Sequence, residues 1–162
     1  LFAKDGKKAA ITIKINGLED KVLITKLYEA SNAGVQIQLI VRSVCCLIPG
    51  VPGMSENIVV TRIVDRFLEH GRVFIFNNND SPLLFSGSSD WMNKSMYRRI
   101  EVCYPVYDEM IKKELMRLIA VQLADNEKAV LLNEQMQNVS IKPANGQPAV
   151  RSQEVIYNLL KV

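Results

Sequence analysis

Cysteine is scarce in this 162-residue chain: Cys45, Cys46 and Cys103 are an adjacent pair and an odd one out. That usage offers no disulfide framework and no Cys-x-x-Cys metal spacing, so a reducing compartment is expected. Histidine is scarcer still, with His70 alone. No apolar run approaches the roughly 18 to 20 residues needed to span a bilayer, and the N-terminus lacks the charged-then-apolar pattern of a signal peptide. Neither G-x-x-x-x-G-K-[ST] nor a G-x-G-x-x-G following a strand occurs, so the two common nucleotide cradles are excluded. Charge of one sign is not in great excess, since 20 Lys and Arg against 17 Asp and Glu leave +3. Affinity for a polyanion must therefore come from local placement of arginine and lysine. There is no internal repeat and no linker long enough to divide residues 1–162, so a single domain is expected.

Hydrophobic residues at 48% and charged residues at 23% are those of a globular domain, not of a disordered or low-complexity chain. At 18.3 kDa the folded surface should be about 8,000 Å². The chain starts at Leu1 rather than Met, and a strand-like stretch at Ala9 to Ile15 begins almost at once. Both features suggest a piece of a longer polypeptide.

The β-rich stretch Ala10 to Ile15 is followed by Asn16-Gly17-Leu18-Glu19, an Asn-x-x-Glu capping pattern. A helix is predicted next, with Leu23, Leu27 and Ala30 on one stripe widened by Ile24 and Tyr28, and Gly34 as its stop. Val35 to Val41 reads as a central strand covered on both faces, so the opening is β-α-β. Pro49-Gly50 and Pro52-Gly53 mark a constrained loop beyond the carboxyl end of that strand, where open α/β sheets bind ligands. Ile58 to Val60 is expected at a sheet edge, and Ile63, Val64, Phe67 and Leu68 suggest a short helix ended by Gly71. Strands are predicted at Arg72 to Phe76, at Leu83 to Phe85 across the polar turn of residues 77–82, and at Arg99 to Val106. The clearest helix is Asp108 to Ala124, carrying Ile111, Leu115, Leu118 and Ile119 on one face. A polar Asn-Gly-Gln-Pro loop precedes a last amphipathic stretch at Glu154 to Leu160.

His70 reads either as a helix-end capping or packing residue or as a functional imidazole; on an extended strand Arg72 would share its face. Gly87-Ser88-Ser89-Asp90-Trp91 lets a backbone approach a ligand closely, and Arg98-Arg99 supplies forks that suit phosphate oxygens. Without a ligand, the same residues are a surface turn and a solvated arginine pair. Arg42, directly after a buried strand, either holds its guanidinium toward a cleft or reaches water. Cys45 and Cys46 are read as small buried hydrophobes.

Leu39-Ile40-Val41-Arg42 with Cys45 or Cys46 and Pro49 to Gly53, then Ile63 to His70, Ser88 to Met92, and Arg98 to Val102 together resemble the carboxyl-terminal catalytic domain of bacterial polyphosphate kinase. The motifs span about Ile13 to Pro105, and the tail from Asn126 matches more loosely. The resemblance implies an α/β domain of the phospholipase D type, a central mixed sheet with helices on both faces. It implies that a preceding domain, carrying the histidine that becomes phosphorylated, encloses a tunnel with this one. The activity implied is reversible transfer of the terminal phosphate of ATP to polyphosphate, with magnesium held mainly by substrate and by the preceding domain, and with no metal ligand in this chain.

Position by position, Arg42 resembles the family's phosphate-binding arginine and His70 its second essential histidine, while Arg72, Ser88, Asp90 and Arg98 join the implied ATP and phosphate site. The expected partners are ATP or ADP, polyphosphate, the preceding domain and further copies of the chain, with no nucleic acid. A cytoplasmic location with peripheral contact to the inner membrane is also implied. The wider phospholipase D pattern, His-x-Lys-x4-Asp then Gly-Ser-x-Asn, is only partly kept, with Arg72, Asn77 and Asp90 at its Lys, Asp and Asn positions. Those departures count against a phosphodiesterase or phosphatidyl-transferase, the first alternative; the second is a non-catalytic module that binds polyanions.

Overall fold

The computed structural model describes residues 3–161. β1 (Ala10–Ile15) runs parallel to β2 (Gln36–Val41) through the crossover helix α1 (Lys21–Asn32), and β2 runs parallel to β3 (Ile58–Ile63). β4 (Arg72–Phe76) returns antiparallel along the free side of β1, followed outward by β5 (Leu83–Gly87) and β6 (Cys103–Pro105). On the far side β7 (Ala129–Leu132) and β8 (Asn138–Ser140) extend the sheet from β3, giving the order β6-β5-β4-β1-β2-β3-β7-β8. The remaining helices are α2 (Asn93–Arg98), α3 (Glu109–Leu123) and α4 (Ser152–Leu160).

Side-chain alternation sorts the strands into two cores. Ile13 and Ile15, with Ile37, Leu39, Val41, Ile58, Val60 and Phe74, pack beneath Ile24 and Leu27 of α1. The opposite parity, Ile40, Val73, Ile75 and Leu84, meets Ile119 and Leu115 of α3. Helices therefore cover both faces, as the apolar end of the second strand predicts. The accessible surface, 9791 Å², exceeds the value expected from mass, and Ile100, Tyr107 and Met110 are among the large apolar side chains left in the open.

Several expected elements are displaced. The cap of α1 is Asp20, whose side chain accepts from Leu23 N at 2.9 Å, and not Asn16. The carbonyls of residues 16–18 are taken by other loops: Ser43 N donates to Asn16 O, Cys46 N to Leu18 O and Trp91 N to Gly17 O, so the helix cannot begin earlier. Residues 64–71 form no helix. Val64, Phe67 and Leu68 are exposed, so their spacing buries no stripe, and the Gln153 side chain of α4 takes the Phe67 N–H and carbonyl that a helix would need.

Ile58 to Val60 is interior rather than an edge, because the β7–β8 hairpin covers it. That hairpin has strands of only four and three residues, too short for a periodic signal. The predicted strand at Arg99 to Val106 shrinks to Cys103–Pro105, at the sheet edge where a proline is tolerated.

The Pro-Gly loop does not line the carboxyl end of β2. Gly50 N donates to Ser55 O, Ile58 N also donates to Ser55 O, and Ile37 N donates to Asn57 O, which places the turn with the opposite ends of β2 and β3. Gly50 and Gly53 adopt φ of +75° and +72° there, a conformation glycine takes without strain. Cys45 is buried as expected, and burial pushes its thiol pKa up, but Cys46 is exposed.

Candidate functional site

One end of the sheet gathers the carboxyl ends of β1 and β2 and the start of β4. The register Ile15↔Val41 puts Arg42 beside Asn16, and Lys14↔Val73 puts Arg72 at that same end. The 88–91 loop closes over it through Trp91, whose backbone bridges Leu18 and whose ring stacks on Phe74 at 5.6 Å.

Asp90 organises this end. Its Oδ1 accepts from Asn16 N at 2.7 Å, Gly17 N at 3.1 Å and Arg72 Nε at 3.2 Å, while Oδ2 accepts from Arg72 Nη2 at 2.7 Å. Arg72 is 9% exposed and Asp90 7%. Burial acts to raise the Asp90 carboxyl pKa, but the Arg72 guanidinium and the Asn16 and Gly17 amides outweigh it and hold it below the usual carboxylate range. Arg72 Nη1 also donates to His70 O at 2.7 Å and lies 2.9 Å from Nδ1, and Nη2 lies 3.2 Å from Nε2. His70 itself is exposed.

Arg42 is half-buried, and its Nε is buried with no hydrogen-bond partner among the described residues. Ser88 Oγ hydrogen-bonds Glu101 and accepts from Val102 N at 3.1 Å, which ties the 88–91 loop to the approach to β6. Arg98 is exposed on the last turn of α2 and shares no hydrogen bond with His70, Arg72 or Asp90. Asn77 caps the turn at the opposite end of β4, its side chain accepting from Asp80 N at 2.9 Å. The structure thus brings His70, Arg72 and Asp90 into contact, sets Arg42 at the same sheet end, and leaves Asn77 at the other.

Sequence reasoning missed the clamp behind His70. Glu69 accepts from Lys14 Nζ at 2.8 Å, from Gln153 Nε2 at 3.1 Å and from Gln122 Nε2. A lone lysine within the apolar Ala10–Ile15 strand was the available signal, since a charge on a covered strand needs a partner. Among the described residues no group of three His, Cys, Asp or Glu could hold a metal ion, and the carboxylates beside His70, Asp90 and Glu69, each have both oxygens engaged. The donors present do not fit a resident magnesium ion.

The family model of the polyphosphate kinase C-terminal domain 2 matches residues 2–153. A polyphosphate kinase of Vibrio parahaemolyticus is 47% identical over 159 residues, covering 98% of this chain and 23% of the relative. The crystal structure of polyphosphate kinase from Porphyromonas gingivalis superimposes with a TM-score of 0.94 at 44% identity, over 98% of this chain and 24% of that one. This chain therefore spans about a quarter of the length of these relatives. The phospholipase D family member Nuc from Salmonella typhimurium has a TM-score of 0.57 at 12% identity, covering 85% of this chain and 86% of its own. At that identity it shows the fold alone, the α/β fold of the phospholipase D type. The match over residues 2–153 and the identity to full-length relatives place this chain in the polyphosphate kinase family, as its C-terminal domain 2.

Proposed function

We propose that this domain forms one wall of the phosphate site of an ATP–polyphosphate phosphotransferase, with Arg42 binding phosphate oxygens and His70 facing the phosphoryl group in transit. The observation that carries the reading is the pairing, at one sheet end, of an arginine whose buried Nε has no partner with an exposed imidazole gripped from behind. Burying a guanidinium N–H without a partner is costly, and a phosphate oxygen is the acceptor it suits best.

In this reading the bond from the γ-phosphorus to ADP oxygen breaks as phosphorus bonds a histidine nitrogen of the preceding domain. That P–N bond then breaks as a terminal polyphosphate oxygen attacks. Loose phosphoryl transfer asks the protein mainly for positioning and charge stabilisation, which a fixed arginine supplies. His70 can take or return the proton shed by the attacking imidazole. ATP or ADP, polyphosphate, the preceding domain and further copies of the chain are the partners, and magnesium comes with the nucleotide phosphates. Cytoplasmic location and peripheral attachment to the inner membrane carry over from the family resemblance; among the described residues no helix is long and apolar enough to cross a membrane.

In the full-length enzyme, His70→Ala should lower turnover by at least about a hundredfold, within the usual worth of acid–base help, with the melting temperature retained. The 162-residue chain alone should make no polyphosphate from ATP. Near-normal turnover by His70→Ala, or robust synthesis by the isolated chain, would sink the reading.

A further inference from the structure

We infer that Arg72 and Asp90 are positioning residues for His70 and not phosphate ligands, an inference that rests on the phosphotransfer reading above. A guanidinium has five N–H donors in a rigid fork. In Arg72, Nε and Nη2 are taken by the two oxygens of Asp90 at 3.2 and 2.7 Å. Nη1 donates to the His70 carbonyl at 2.7 Å, and both Nη atoms lie against the imidazole, 2.9 Å from Nδ1 and 3.2 Å from Nε2. Each edge of the fork is therefore occupied, and a phosphate could reach Arg72 only by displacing Asp90 or His70.

The charges cancel within the pair, and both partners are buried. This leaves Arg42 and its neighbour on β3, Arg62, as the cations at this sheet end with a buried Nε–H to offer. Asp90 also accepts from the Asn16 and Gly17 amides, so it locks Arg72 to the end of β1. His70, by contrast, sits on an exposed segment where its ring would otherwise sample several rotamers. An arginine that grips both its carbonyl and its ring removes that freedom, and Asp90 keeps the arginine itself rigid.

The test is a set of variants of the full-length enzyme, with kcat and KM measured separately for ATP and polyphosphate. Arg72→Gln and Asp90→Asn should each lower kcat by about 10- to 100-fold, the scale of a small misplacement of a reacting group. Both KM values should stay within about threefold, because ground-state phosphate binding is untouched. The double variant should lose no more than the worse single, as residues acting as a unit do. In a His70→Ala background, Arg72→Gln should cost nothing further.

A rise in KM with kcat preserved would make Arg72 a phosphate ligand and overturn the inference. So would multiplying losses in the double variant, a further loss in the His70→Ala background, or a kcat loss that merely follows the melting temperature. If His70→Ala itself keeps its activity, the phosphotransfer reading fails and takes this inference with it. Every other adverse result leaves that reading standing.

Discussion

The side chain of Gln153 and the backbone of Phe67, 86 positions apart, hydrogen-bond in both directions: Gln153 Nε2 donates to Phe67 O at 2.8 Å and Phe67 N donates to Gln153 Oε1 at 2.7 Å. One side chain thus does what a neighbouring strand would do. Beside it Arg151 forms a two-pronged pair with Asp65 at 2.7 and 2.8 Å, and Glu69 is held by Lys14, Gln122 and Gln153. The segment that leads into His70 is fixed from α4 on one side and from β1 on the other, which gives the tail helix a task in the site.

Gln153→Leu keeps side-chain volume but leaves both Phe67 backbone groups without their partner. Phe67 is exposed, so water can replace the lost partner, and a cost of about 0.5–1.5 kcal/mol per hydrogen bond is expected. Hydrogen–deuterium exchange in the full-length enzyme should speed up at residues 64–70 and stay unchanged in β1. Unchanged exchange at 64–70 would mean the clamp is dispensable.

Arg42→Lys retains a positive charge but loses the planar fork and the Nε–H. Charge-assisted hydrogen bonds are worth about 1.5–3 kcal/mol, so kcat/KM for ATP and polyphosphate should fall by about 10- to 100-fold, with folding intact. Steady-state kinetics of the full-length variant decide this, and wild-type kcat/KM would remove Arg42 from the site.

Gly87 pairs with Cys103 across β5 and β6, where a Cβ would come within 2.3 Å of Val102 O and 3.0 Å of Cys103 Cα. Both obstacles are backbone, so neither can swing away. Gly87→Ala should push β6 off β5, at the roughly 1–3 kcal/mol typical of overpacking. A lower melting temperature and faster exchange at 101–105 are the expected readouts.

Acid should loosen the domain through Asp90 and Asp125. Burial acts to raise both carboxyls, but Arg72 with the Asn16 and Gly17 amides at one, and Ser152 with the Lys128 and Ala129 amides at the other, hold both below the ordinary value of 3.8. A depressed carboxyl contributes stability that is complete above its unfolded pKa, here 3.8, and is lost as pH falls below it through the folded value. Denaturant unfolding of the Asp125→Asn variant should show a shallower loss of stability below pH 3.8 than wild type. An equal slope in both would discount Asp125 as a source of the acid sensitivity.

The sequence by itself decided what could be read locally. The alternation of Ile11, Ile13 and Ile15 and the near-continuous Leu39 to Val41 are set by the two-residue period, and the structure keeps them; of the expected α3 stripe, Ile119 and Leu115 reach the core while Ile111 stays exposed. The motifs around Arg42, His70 and Ser88 to Met92 identified the family in the same way, because each is a short contiguous run. Tertiary structure decided the rest. Residues 63–68 carry a helix-like spacing, yet they form no helix because Gln153, near the other end of the chain, offers the Phe67 backbone partners that local sequence does not contain. Asn16 has a capping pattern but caps no helix, since Ser43 takes its carbonyl and the Asp90 carboxylate takes its N–H. The role of Asp90 is likewise invisible in Gly87 to Trp91 alone. Whether a carboxylate faces water, a phosphate or a guanidinium depends on which strand end is folded beside it, and that is settled by chain topology, not by the residues on either side of it.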